Sequence, residues 1–82
     1  MKNKTNYYSS DLSLVTTLSL DFPIIGIDRR NPSRIIFEFE SSRELSARIK
    51  EYWNAELFIE PQRFFTQLKY IKAQVFGRPN AE

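Results

Sequence analysis

The chain contains no cysteine and no histidine. Without cysteine it forms no disulfide and offers no thiolate. Without histidine as well, Ser-His-Asp and Cys-His nucleophile systems are excluded, together with metal sites built on imidazole or thiolate. Glycine is scarce too. Gly26 and Gly77 stand far apart, so no glycine-rich loop can cradle a phosphate. No apolar run approaches the length of a bilayer span. Met1 to Asn6 carries lysines, but no uninterrupted apolar stretch follows, so it does not read as a secretory signal. These absences point to a cytoplasmic protein, not an enzyme, with no catalytic group, metal site or cofactor and no membrane association.

What the chain has is aromatic bulk. Its 82 residues suffice for one domain, and a domain of that size must bury apolar surface economically. Aromatic residues make up 15% of the sequence, seven of them phenylalanine, and each brings a large area to a small core. The net charge is +2. Up to Glu60 acidic residues outnumber basic ones by one, and the positive excess lies beyond Pro61, in Arg63, Lys69, Lys72 and Arg78. Such an asymmetry suits an acidic partner surface.

The polar residues 1–6 read as a tail, 7–77 as one domain, and 78–82 as a second tail. Ser9 or Ser10, followed by Asp11, can cap a helix in which Leu12, Val15 and Leu18 share a face. The same stretch also alternates through Leu12, Leu14, Thr16, Leu18 and Leu20, which fits a strand. Helix and strand both fit this stretch, and the element order takes it as helix.

Phe22 to Arg29 and Ser33 to Glu40 form a predicted β-hairpin, turning at Asn31-Pro32. Gly26 inside the first strand marks a bulge or a close packing contact. In the second strand Ile35, Phe37 and Phe39 face one way, and Ile36, Glu38 and Glu40 the other. Ser41 with Glu44 matches a capping box and opens a helix whose apolar face uses Leu45, Ile49 and either Tyr52 or Trp53. Asn54 stops it, and Leu57-Phe58-Ile59 reads as a short third strand. Pro61 starts the last helix. Phe64, Leu68, Ile71 and Val75 form its stripe, Phe65 and Phe76 widen it, and Gly77 with Pro79 ends it. The expected fold is therefore α+β: helix, β-hairpin, helix, short third strand, and a C-terminal helix packed on a small antiparallel sheet.

Tyr8-Ser9-Ser10-Asp11-Leu12, Ile27-Asp28-Arg29, Phe37-Glu38-Phe39, Tyr52-Trp53, and Phe64 with Leu68 and Lys72 together resemble a small uncharacterised domain family of bacterial and phage sequences. The resemblance spans roughly Tyr7 to Phe76. Members of that family usually carry two alanines where this chain has Val15 and Thr16. They also tend to carry a glycine before the first strand, where this chain has Leu20-Asp21. The resemblance favours helix for the first segment and implies no activity, because the family's own function is unknown.

The candidate contact residues fall into two sets. Arg29, Arg30 and Arg34 flank the hairpin turn, while Arg63, Lys69, Lys72 and Arg78 lie on or after the last helix. With Tyr70 among them they could follow a phosphate backbone or an acidic protein surface, or simply keep a helix face and a loop tip solvated. Tyr7, Tyr8, Tyr52 and Trp53 suit either a protein interface or the margin of the core. Glu38 and Glu40 share a strand face and could hold a divalent cation or act as an acid/base pair, although alternating glutamate is the ordinary way to wet a strand. Asp28 beside Arg29 and Arg30 reads as a turn cap or ion-pair partner. The expected role is a small non-catalytic interaction module or accessory subunit docking on a larger macromolecule, with a protein as the expected partner. Nucleic-acid binding through the basic residues and a phage-encoded or mobile-element regulator are the alternatives.

Overall fold

The computed structural model describes residues 5–75. Their order is β1 (Tyr7–Ser9), α1 (Leu12–Ser19), β2 (Ile24–Asp28), β3 (Ile36–Phe39), α2 (Arg43–Trp53) and α3 (Pro61–Val75). The strands form one antiparallel sheet with β3 in the middle, ordered β1-β3-β2. This is an α+β fold with the C-terminal helix packed on the sheet. The predicted Phe76, Gly77 and Pro79 helix end and Arg78 lie outside the described residues.

Segment 12–19 is helical. Asp11 is its N-cap: Oδ1 accepts from the Ser13 amide at 3.1 Å and the Leu14 amide at 3.2 Å. The expected serine cap moves accordingly, and Ser9 instead accepts a hydrogen bond from the Asp11 amide. Leu14, Val15, Thr16, Thr17 and Leu18 are all buried. Five successive residues exceed one helical turn, so α1 is enclosed in every direction at its middle. An enclosed helix has no full polar stripe, which is why its sequence fits a strand as well as a helix. Its two buried threonines satisfy their hydroxyls locally. Thr16 donates to the Leu12 carbonyl at 2.8 Å and Thr17 to the Ser13 carbonyl at 2.9 Å.

The sheet faces α1 with Phe37 and Phe39, both buried. Opposite them stand Tyr7 and Ser9 on β1 and Ile24 and Ile27 on β2. Ile24 and Ile27 are three apart, yet both pack on the core. A β-bulge between Ile24 and Gly26 makes this consistent, because the extra residue resets the alternation and turns Ile25 outward. Gly26 also serves a close contact: a Cβ there would lie 2.6 Å from Glu38 Oε1. Both readings of this glycine therefore apply.

The third strand is β1, not Leu57–Ile59. Tyr7–Ser9 takes one edge of β3 with Tyr7 opposite Phe39, while Leu57–Ile59 joins no sheet. The capping box also shifts. Ser42 caps α2 and accepts from the Leu45 amide at 3.0 Å, so Glu44 sits in the first turn without the reciprocal position. Ser41 instead donates to the Thr5 carbonyl.

Helix α3 runs along α1, and Ile71 and Val75 join the cluster that holds Phe37 and Phe39. Gln67 Nε2 donates to Ser19 Oγ at 2.9 Å, and Arg29 donates to the Gln74 carbonyl at 3.0 Å. Helix α2 packs on α1 from another side, where Tyr52 OH donates to Ser13 Oγ at 2.9 Å. Arg48 pairs with Asp21 and Glu51 and lies over the Phe22 ring. No described helix is long and apolar enough to cross a membrane.

Helix α2 ends in a Schellman turn, with the Ala55 amide bonded to the Tyr52 carbonyl and the Glu56 amide to the Glu51 carbonyl. Ala55 therefore takes a φ of 58°, a conformation in which its Cβ is unfavourable. Ala55→Gly should raise stability by about 0.5–1 kcal/mol, read as a higher midpoint in urea with an unchanged slope. A lower midpoint would mean that the turn carries no such strain. Phe39→Ala should cost about 3–5 kcal/mol, a large part of the stability of so small a domain; thermal melts would show it.

Candidate docking surface

Three surfaces remain once the core is accounted for. The first is the hairpin tip. Arg30 lies on Asp28 through two side-chain hydrogen bonds of 3.0 and 2.7 Å, and its amide donates to the same carboxylate. These bonds lower the Asp28 carboxyl from 3.8 to about 2. Arg29 is tied to the C-terminal end of α3, where a cation complements the helix dipole. Arg34 is exposed, its amide closing the turn onto the Asn31 carbonyl. On α3, Lys69 and Lys72 are exposed on one flank. Arg63 is nine positions from Lys72, about two and a half turns, and so leaves the helix on the opposite side. The basic residues are thus dispersed over the tip and two flanks of α3, and two of the three at the tip are engaged.

The second surface is the outer face of the sheet, which carries Tyr8, Gly26, Asp28, Ile36 and Glu38 around a shallow cavity of about 390 Å³. Glu38 Oε2 accepts from Asn6 Nδ2 at 2.7 Å and from Tyr8 OH at 3.2 Å. The bond to Glu38 and its negative charge raise the Tyr8 phenol above its ordinary value. Glu38 is thus a neutral-donor anchor fixing β1 on β3. No group of three or more acidic residues suited to a metal occurs among the described residues.

The third surface is aromatic and lies where α2 passes into α3. A cavity of about 320 Å³ is lined by Thr17, Tyr52, Ala55, Leu57, Ile59, Pro61 and Phe64. In the same stretch Phe58 is 94% exposed, Trp53 62% and Phe65 58%. Trp53 stands edge-on to Tyr52 at 5.0 Å, and Phe65 edge-on to Phe64 at 5.7 Å. In each pair one ring faces the cavity and its neighbour faces solvent. Singly exposed apolar residues are ordinary, whereas here three large exposed aromatics each stand next in sequence to a residue that lines one apolar hollow.

A family model covers residues 4–77. The chain belongs to the DUF5659 family, a domain of unknown function. No curated protein and no solved structure matches it. The DUF5659 match takes in every described element, so the aromatic patch is part of the family domain and not an appendage.

The five aromatics singled out in the sequence separate. Tyr7 packs on the core, and burial with the nearby Asp11 charge raises its phenol. Tyr52 is half-buried in the α1–α2 contact. Tyr8 belongs to the outer sheet face, and exposed Tyr70 accepts from Gln74 on α3. Only Trp53 reaches the patch. Phe58 and Phe65 were expected inside a strand and on the buried stripe of a helix. The available signal was position: Phe65 stands one residue, about 100°, off the stripe that Phe64 defines.

The Asp28 pair gives a pH test. Because the folded carboxyl lies below its ordinary value, the ion pair persists as pH falls past 3.8 and is lost only near 2. An NMR titration should place the Asp28 midpoint near 2, and Arg30→Gln should move it upward towards 3.8. A midpoint that ignores Arg30 would mean that the hairpin tip is not held this way.

Proposed function

We propose that this DUF5659 domain is a small, non-catalytic interaction module that docks on a larger protein through the Trp53, Phe58 and Phe65 patch. One observation carries the reading: Phe58 is almost wholly in water although it sits between Leu57 and Ile59, which line a cavity. Holding such a ring in solvent contributes nothing to the fold, and aromatic anchors beside a pocket are what protein interfaces use. The absence of cysteine and histidine fits a role without bond-making chemistry, and a chain that needs no disulfide suits the cytoplasm.

Nucleic-acid binding is the second reading. It is favoured by the Arg29 bond to the end of α3, which brings the hairpin tip to the same end of the molecule as Lys72. It predicts affinity that falls steeply with salt and drops uniformly on replacing Lys69 and Lys72 with Gln.

The docking reading predicts a separation of stability from binding. Phe58→Ala should change the unfolding free energy by less than about 0.5 kcal/mol, and Trp53→Ala only modestly more. Each should weaken the protein partner by about tenfold or more, as loss of an interface anchor does. Pull-down with quantitative mass spectrometry, paired with urea melts, checks both. A partner retained equally by Phe58→Ala and Trp53→Ala would move the interface elsewhere.

A further inference from the structure

We propose that Leu57, Phe58 and Ile59 are a template for an added β-strand, and that the strand it takes is an extended apolar segment of another protein flanked by basic residues. The inference rests on the docking reading above and names the partner's chemistry.

The segment has the side-chain alternation of an extended chain. Leu57 and Ile59 line one cavity, and Phe58 between them points away. Its composition is that of a strand. Yet none of the three backbone amides or carbonyls has a hydrogen-bond partner among the described residues. The ends are fixed. The Schellman turn at Ala55 and Glu56 holds one, and the start of α3 at Glu60 and Pro61 holds the other. A segment anchored at both ends, with strand-like side-chain alternation and its ladder groups unused, has already met much of the ordering cost of pairing. A helical partner keeps its own backbone groups internally paired and could not use these.

Charge selects the occupant. Glu56 and Glu60 flank the tripeptide symmetrically, two residues on either side of Phe58, and both are exposed. The Arg63 amide occupies Glu60 Oε1, which leaves the other oxygen to face an incoming cation. A second copy pairing antiparallel about Phe58 would set Glu56 against Glu60 twice, and like charges directly opposite oppose pairing. An acidic or uncharged strand gains nothing at those positions. A strand with Lys or Arg there gains a cross-strand ion pair at each end.

The test is an NMR titration of the full chain with a capped peptide, Gly-Lys-Val-Phe-Val-Lys-Gly. Two control peptides accompany it: one with glutamate in place of both lysines, and one N-methylated at the central residues. The expected result is slowed amide exchange within Leu57–Ile59, cross-strand contacts to the peptide backbone, and at least tenfold weaker binding of both controls. Glu56→Lys, which leaves the Glu60 cap intact, should lower affinity for the lysine peptide and raise it for the glutamate peptide. Absence of binding at millimolar peptide overturns the proposal, as does binding indifferent to N-methylation. Concentration-dependent protection of the same amides without peptide assigns the site to a second copy and overturns it too. If the peptides fail while capture of a protein partner still depends on Phe58, the docking surface stands and strand addition falls. If capture is also indifferent to Phe58, both fall.

Discussion

Enclosure of one short helix organises this molecule. Leu14 to Leu18 occupy more than a full turn of α1 and are all buried, so the helix needs cover on every side. The sheet covers it with Phe37 and Phe39, α2 with Leu45 and Tyr52, and α3 with Ile71 and Val75. A core this small has little apolar area to spare. Polar atoms inside it must therefore be satisfied at once, and Thr16 and Thr17 achieve this within their own helix. Ser13 and Ser19, at the ends of the enclosed stretch, then accept from α2 and α3. The helices are thus positioned by apolar contact and oriented by two hydrogen bonds to one central element.

The same constraint explains what is left outside. With α1 covered, the remaining apolar groups have no interior to enter. Helix α3 commits Ile71 and Val75 to the core and Phe64 to the cavity wall, and Phe65, one position off that stripe, is left in solvent. The connection from α2 to α3 must leave a Schellman turn and reach Pro61, and it does so as an extended segment with Leu57 and Ile59 inward. Phe58 is then outward by geometry. The sheet's outer face carries a different balance, because Glu38 there is committed to Asn6 and Tyr8 and ties β1 to the centre of the sheet. Ala55, in a backbone region that alanine adopts at a cost, sits at the start of the exposed segment.

Local chemistry was legible in the sequence: the turn at Asn31-Pro32, the alternation of β3, the stop at Asn54, the start at Pro61 and the stripe of α3. Each is decided within a few residues by backbone sterics or by periodicity. Composition likewise excluded histidine and cysteine chemistry before any fold was known. Tertiary structure decided what depends on enclosure and competition. Segment 12–19 reads equally as strand because a helix covered on all sides shows no polar face. Tyr7–Ser9 and Leu57–Ile59 are both short strand-like pieces, and only one edge of β3 could take them. The N-terminal piece takes it, with Tyr7 packed on the core and Tyr8 bonded to Glu38, and the more strand-like Leu57-Phe58-Ile59 is left unpaired, with Phe58 turned to water. Sequence alone fixes which residues are apolar; which apolar residues find no place in the core is settled only when the other elements have filled it.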